Sequence, residues 1–408
     1  MHKSVQTTVK KLLCILLIFV FALQPLSVSA APAIEAETGT NYPFVFVTGY
    51  CGYGRYDRFY RTFPYWGMQS GDLIHYLNTQ GFECYASSVD PVDSAWDRAC
   101  ELYAQMTGTV VDYGAAHAAR FGHARYGTDY RDNRLLAGWG NSDSKGGIRK
   151  VNFVCHSFGG ATVRLMTELL ANGDADELAA VPAGEVSGLF SGGKAEWVHS
   201  VTTLASPHNG TSLTLLSGLL FTLANMADIR GITGEGPSFL GIFDYLKRIS
   251  QVFTDGIGED TGVYDLSPDG AEKLNARLAP LNNVFYFSVP TDSTKAGILP
   301  SQRVPDPELT DTMLLVTSLF ICKAKAVTPG GNVIDGGWLS NDGIVNTISC
   351  TAPANEPQKI FDPAVISPGV WQIMPVFHGD HLAITGGLTR PVEVKPFYLA
   401  QLTLINSL

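Results

Sequence analysis

The sequence predicts an α/β fold with a mostly parallel central sheet and helices on both faces, and three observations carry the prediction. Short runs with strand propensity, at residues 43–47, 82–89, 151–155, 197–205 and 284–289, alternate with stretches whose apolar residues recur at helical spacing, at 72–77, 162–170 and 271–278. Such alternation favours parallel pairing, with helices covering both faces of the sheet. No internal repeat and no long linker interrupts it, so residues 31–408 read as one domain.

The first 30 residues differ in kind. Lys3, Lys10 and Lys11 precede an apolar run at 12–23, and Val28-Ser29-Ala30-Ala31 supplies a small-residue end. This is the pattern of a secretory signal peptide, too short and wrongly flanked for a membrane span. Its expected removal near Ala30 leaves 25 Lys and Arg against 38 Asp and Glu, a net charge of −13. That balance argues against nucleic-acid and anionic-membrane partners and fits an exported, extracellular protein. No later stretch is long and apolar enough to span a bilayer. The cysteines that remain, Cys51, Cys84, Cys100, Cys155, Cys322 and Cys350, are too few over this length for a disulfide scaffold, and no pair has the close spacing of a metal knuckle.

Taken in order, the strand at 43–47 runs into Thr48-Gly49-Tyr50-Cys51-Gly52-Tyr53-Gly54, a glycine-rich loop of the kind that can donate backbone N–H groups to a developing oxyanion. A helix at 72–77 ends near Gly81, and the next strand comes directly after it. Between 94 and 127 the chain turns Ala-rich and aromatic, and histidines cluster. His117 and His123 are separated by Gly122, so a break there would let both rings converge. Two imidazoles and two carboxylates would suit a closed tetrahedral zinc site. The plainer reading makes these histidines surface or capping residues and pairs Asp97 with Arg98.

Residues 132–147 form a Gly- and Asp-rich loop leading to Val151-Asn152-Phe153-Val154-Cys155-His156-Ser157-Phe158-Gly159-Gly160. Strand, sharp turn and helix in that order place the serine hydroxyl above the sheet as a nucleophile, provided its neighbours are small. Gly159 and Gly160 meet that need, while Cys155 stands where a first glycine is usual. The plainer reading is a buried strand and a glycine-lubricated turn. A polar connection at 171–193 precedes the strand at 197–205. Residues 213–227 are strongly apolar, either buried or a cover over an apolar cleft, and 243–249 reads as a helix. Asp342 lies in the tight turn Asn341-Asp342-Gly343, and His378 and His381 come later in Phe377-His378-Gly379-Asp380-His381. The order Ser, Asp, His is that of enzymes with a serine on such a turn. Four histidines lie beyond Ser157. His199 starts a strand and His208 comes after one without an acid-and-glycine context, so the late pair fits better; spacing does not choose between His378 and His381.

Together these residues resemble the secreted thermoalkaliphilic and staphylococcal lipases of Gram-positive bacteria, which are α/β hydrolases with a structural zinc subdomain. The match runs over roughly 43–402. Its most specific part is Trp96-Asp97-Arg98-Ala99-Cys100-Glu101, continuing through Val111-Asp112-Tyr113-Gly114-Ala115-Ala116-His117 to Gly122-His123-Ala124-Arg125. The resemblance implies Ser157 as nucleophile, Asp342 as acid and His381 as base, with the backbone amides of Tyr50 and Phe158 as oxyanion donors. It implies a structural Zn2+ held by Asp97, His117, His123 and Asp244, the last matched through its spacing to Tyr264-Asp265-Leu266-Ser267. It also implies a zinc-binding helical insertion at about 94–127 and a cover segment at about 211–250. Departures matter too. Thr48 and Tyr50 replace the family's histidine and phenylalanine in the early loop, a change that backbone donation survives. Ala383 and Leu388 stand where the family has the acids of a Ca2+ site, so the resemblance does not extend to calcium. The stretch from Gly210 to Asp244 is shorter than a full lid, as in the branch of the family from anaerobic bacteria.

The resemblance thus implies a secreted serine hydrolase that cleaves carboxylic esters, triacylglycerols or shorter acyl esters, through an acyl-enzyme, with a lipid–water interface as a place of action. Hydrolysis of polymeric aliphatic or aromatic polyesters is a variant of the same expectation, drawn from the short-lid relatives. Its rivals are an amidase or peptidase built on the same triad, and an exported lipid-binding module without catalysis.

Overall fold

The computed structural model describes residues 39–142, 146–216, 258–299 and 301–408. The signal peptide expected at 1–30, the ligand Asp244, the helix expected at 243–249 and the cover segment beyond Leu216 all lie outside the described residues. Seven strands form the central sheet: β1 (Phe44–Val47), β2 (Cys84–Ala86), β3 (Val151–His156), β4 (Val198–Leu204), β5 (Phe285–Val289), β6 (Gln358–Ile360) and β7 (Trp371–Ile373). Their spatial order is β6-β7-β5-β4-β3-β1-β2, and every pairing is parallel. With helices on both faces, this is an α/β-hydrolase-like fold. The first five strands stand where the sequence predicts them. The short edge strand β6 and its neighbour β7 do not announce themselves, since three residues each are too few to carry a period.

The pleat assigns alternate side chains to two cores. Phe44, Phe46, Val154 and Phe287 face one side; Val45, Val47, Phe153, Cys155 and Tyr286 face the other. Four helices position the site: α1 (Leu73–Thr79), α2 (Ala95–Thr107), α4 (Gly159–Asn172) and α6 (Lys395–Asn406), with α3 (Ala115–Phe121) and α5 (Pro268–Asn275) at one end. On the first face Phe46 meets Trp66 at 5.0 Å and Tyr398 of α6 at 6.0 Å, between ring centroids. On the second, α2 and α4 bury Ala99, Leu102, Met106, Val163, Met166 and Leu170 completely; at about 1.5–3 kcal/mol for each large aliphatic side chain, this packing holds the helix after Ser157 onto the sheet.

Residues 94–127 carry the helices α2 and α3, and they add a hairpin to the helical insertion expected there. Gly108 takes φ 68° and stops α2, and the β-branched pair Val110-Val111 then opens a strand, Val110–Asp112, that pairs antiparallel with Tyr126–Asp129 around α3. Arg125 clamps this hairpin with two hydrogen bonds to Asp112, at 2.9 and 2.8 Å. The polar connection after α4 likewise contains a short helix, Ala175–Ala180, which the side chain of Asp174 caps.

Candidate active site and metal-ligand cluster

β3 ends at His156, and Ser157 turns the chain into α4 with φ 54°, a left-handed conformation that costs a non-glycine residue on the order of 1–3 kcal/mol. The surroundings hold it there: Ser157 N–H donates to the Leu204 carbonyl at 2.8 Å. A Cβ on Gly159 would lie 2.6 Å from the Val47 carbonyl oxygen, and one on Gly160 would lie 2.5 Å from Ser206 Oγ. Both glycines are therefore required by close approach. Cys155 is fully buried between β1 and β4, and burial pushes its thiol well above the ordinary value, so it packs as a small apolar residue.

Asp342 is completely buried, and its carboxylate is fully engaged. Oδ1 accepts the N–H groups of Ile344 and Val345 at 3.0 and 2.7 Å; Oδ2 accepts the Thr291 hydroxyl at 2.6 Å and lies 2.8 Å from His381 Nδ1. The main chains meet as well, His381 N–H donating to the Asp342 carbonyl at 2.8 Å. Nε2 of the His381 ring has no hydrogen bond among the described residues. The ring lies against that of His156, the residue before Ser157, with 4.6 Å between centroids. The four histidines are thereby separated. His378 is exposed on the strand Phe377–His378. His208 is buried against Thr203 and Trp371, and His199 packs between Tyr42 and Phe285; burial lowers both pKa values, that of His199 to about 4.

The glycine-rich loop passes directly over the serine. A Cβ on Gly49 would sit 3.1 Å from Ser157 Oγ. Next in the chain, Tyr50 N–H donates no hydrogen bond among the described residues, although its neighbours are spent: Gly49 N–H on the Tyr65 hydroxyl and Cys51 N–H on the Pro91 carbonyl. Phe158 N–H, one residue after Ser157, likewise donates none among them, and the rings of Tyr50 and Phe158 meet edge to face at 6.2 Å. Arg98 of α2, fully buried, braces this corner from behind. It donates to the carbonyls of Thr48 at 2.5 Å and Asp90 at 2.6 Å, and its guanidinium lies 5.1 Å from the centre of the Phe158 ring. Asp97 therefore does not pair with Arg98, whose donors face the opposite way.

Asp97 instead turns into a group with His117, His123 and Asp260, which each offer a ligand atom within 4.8 Å of one another. His117 Nε2 lies 3.3 Å from Asp97 Oδ1 and 3.2 Å from Asp260 Oδ1, and His123 Nε2 lies 3.5 Å from Asp260 Oδ2. Yet Asp97 Oδ1 and both Nε2 atoms are buried without a hydrogen-bond partner among the described residues. The donors converge on a shared point rather than on each other, and spacings near 3.3 Å are the edges of a tetrahedron whose arms are about 2.0–2.1 Å. Burial alone would lower the His117 pKa, but the Asp260 and Asp97 carboxylates overcome it and raise it to about 9, as a site that calls for a cation should. These four residues can hold a metal ion.

Residues 40–395 match the family described as lipase-like, C-terminal domain. The chain belongs to this lipase-like family. It is 35% identical over 378 residues to Lipase 2 of Staphylococcus aureus, a match covering 87% of this chain and 51% of that protein, so it spans about half the length of the curated relatives it matches. Among solved structures it is similar to EstA from Clostridium botulinum, with TM-score 0.78 and 31% identity over 95% of this chain and 93% of that one. Lipase 1 from Pelosinus fermentans gives TM-score 0.75 and 32% identity over 90% and 99%.

Membership of the lipase-like family bears out the resemblance that the motifs carry. The group of four donors shows where sequence reasoning fell short. Among the described residues Asp260 completes it, whereas the sequence nominates Asp244, outside them. A signal was present: Asp260 immediately precedes Thr261-Gly262-Val263 and the Tyr264-Asp265-Leu266-Ser267 signature, a nearer acid than the one chosen. Among the described residues no helix is long and apolar enough to cross a membrane.

Proposed function

We propose that the chain is a secreted serine hydrolase of carboxylic esters. Ser157 Oγ attacks the ester carbonyl, His381 Nε2 takes the proton and returns it to the leaving alcohol, and Asp342 holds the imidazole by Nδ1 and stabilises its charged form. Water then repeats the sequence on the acyl-enzyme. The amides of Tyr50 and Phe158 receive the oxyanion, and one such donor can be worth about 3 kcal/mol of transition-state stabilisation. The single observation that carries the reading is the pair of amides, of Tyr50 and Phe158, that donate no hydrogen bond among the described residues and lie about a strained Ser157 beside an Asp342–His381 pair. An N–H left without an acceptor at a turn makes sense where an anion will form. The names of the relatives, lipase and EstA, support esters as the substrate class. Residues 1–30 support export.

Asp97, His117, His123 and Asp260 would hold Zn2+, since two imidazoles select it over a hard cation such as calcium. Four protein ligands leave no open position for water, so the ion would supply structure and no reaction step.

The test is turnover by purified protein of soluble p-nitrophenyl esters from short to long acyl chains, beside emulsified triolein and a matched anilide, with Ser157→Ala as blank. Ester cleavage at least about 10³-fold above Ser157→Ala, with slower anilide cleavage, is the expected result. Equal turnover in Ser157→Ala would end the reading. The acyl-chain profile then separates a short-ester enzyme from one working on emulsified triacylglycerol.

A further inference from the structure

Behind Ser157 a buried hydrogen-bond chain joins the two halves of the site. Tyr65 places its hydroxyl 2.5 Å from His156 Nδ1 and 3.3 Å from the Gly49 nitrogen. On the far side of the ring, His156 Nε2 lies 2.8 Å from the carbonyl oxygen of His381. The ends fix the direction of every proton. A carbonyl oxygen only accepts, so Nε2 carries the His156 proton. A neutral imidazole then leaves Nδ1 as acceptor, the Tyr65 O–H donates to it, and the Tyr65 oxygen accepts the Gly49 N–H. The surroundings agree: burial, with His381 alongside, holds His156 neutral, and burial keeps the Tyr65 hydroxyl protonated. The turn that bears Tyr65 is stapled to the His381 loop at further points, Gly67 N–H donating to the Thr385 carbonyl at 2.7 Å and Ser70 Oγ to the Gly386 carbonyl at 2.9 Å.

We propose that Tyr65, acting through His156, is a positioning residue that sets the distance between the loop at Gly49-Tyr50 and the main chain of His381. The proposal rests on the reading of Ser157, Asp342 and His381 as a triad. No proton travels along this chain during turnover; its contribution is geometric. The oxyanion donor at Tyr50 and the base at His381 sit on separate segments of the chain, and Tyr65–His156 is the rigid link between them. Removing the Tyr65 hydroxyl strands the Gly49 N–H and His156 Nδ1 together, and both segments relax apart.

The experiment compares Tyr65→Phe with the unmodified protein, Ser157→Ala and a control, Tyr60→Phe. The Tyr60 hydroxyl is also buried but has no hydrogen-bond partner among the described residues. Turnover of a soluble p-nitrophenyl ester is measured per site titrated with a fluorophosphonate, together with affinity for a boronic acid that mimics the tetrahedral adduct. Tyr65→Phe is expected to lose ~10- to 100-fold in kcat with KM within about twofold, and to lose boronate affinity in parallel. Tyr60→Phe is expected to match the unmodified protein. Unchanged kcat per titrated site in Tyr65→Phe would overturn the proposal, and so would a fall in kcat with boronate affinity intact. Should Tyr65→Phe give no titratable protein, His156→Gln, which keeps a donor toward His381 but loses the ring acceptor, decides by the same two readouts. If the unmodified protein turns over no ester, or Ser157→Ala does so equally fast, it is the triad reading that fails and takes this proposal with it.

Discussion

His156, His199 and His208 are three imidazoles that the fold buries and holds neutral, each below its ordinary pKa near 6.5, chiefly through loss of solvent. For His199 the nearby charge of Lys150, itself paired with Glu196 at 2.8 Å, pushes the same way, and the value falls to about 4. Between those two values the unfolded chain binds a proton that the folded chain refuses, so stability rises with pH across the window and is lost on acidification. Replacing the ring by one that cannot titrate should flatten that dependence. His199→Phe keeps an aromatic between Tyr42 and Phe285, each about 5 Å away, and its denaturation midpoint is expected to change less between pH 6.5 and 4.5 than that of the unmodified protein. Parallel curves for the two proteins would show that His199 is not a source of the acid sensitivity. Sequence context sets His199 and His208 apart from the late pair, but spacing does not choose between His378 and His381. Their roles part only in three dimensions, where Asp342 reaches His381 and His378 is left on the surface.

The turn from β3 into α4 is the element on which the proposed chemistry depends. Gly159 stands so close to β1 that an added Cβ would meet the carbonyl oxygens of Val47 and Thr48 at 2.6 and 2.9 Å. Backbone carbonyls cannot rotate aside as a side chain can. In Gly159→Ala the helix must therefore retreat from β1, carrying the Phe158 amide with it, at a cost of about 1–3 kcal/mol for overpacking. A lower denaturation midpoint together with lower kcat is the expected outcome; a variant unchanged in both would mean that the turn has slack. This element is also the most legible part of the chain, because its constraint is local: a strand run, a serine and two glycines in close succession announce the geometry. β6 and β7 are illegible for the opposite reason. β7 gains its strand conformation from pairing with β5 and β6 from pairing with β7, and Trp371 is recruited by Glu356, which accepts its indole N–H at 2.6 Å and also pairs with Arg164 of α4. That context comes from across the fold, and no window of sequence contains it.

At the scale of the whole molecule, the four proposed metal ligands belong to segments that folding must bring together. Asp97 lies on α2, His117 on α3, His123 on the turn after it, and Asp260 far along the chain on the segment that enters α5. The same juncture is tied once more without any ion, Asp265 accepting the Ala95 N–H at 2.7 Å. Removing a metal leaves Asp97 and Asp260 joined only through the imidazoles of His117 and His123, a weaker tie than an ion that binds all four residues at once. An ion present at about 1,000 times its Kd adds about 4 kcal/mol to stability by mass action alone. Chelation with EDTA is therefore expected to lower the Tm by several degrees, with recovery on adding Zn2+ and not Ca2+. Chemistry should respond differently. α2 is held by Ala99, Leu102 and Met106 in the sheet core and by Arg98 on the Thr48 and Asp90 carbonyls, contacts that need no ion. Assayed well below the lowered Tm, the chelated protein should keep its kcat within about twofold, since an ion with four protein ligands has no coordination site to offer substrate. Turnover abolished by EDTA at an unchanged Tm would reverse the assignment and place the metal in the reaction.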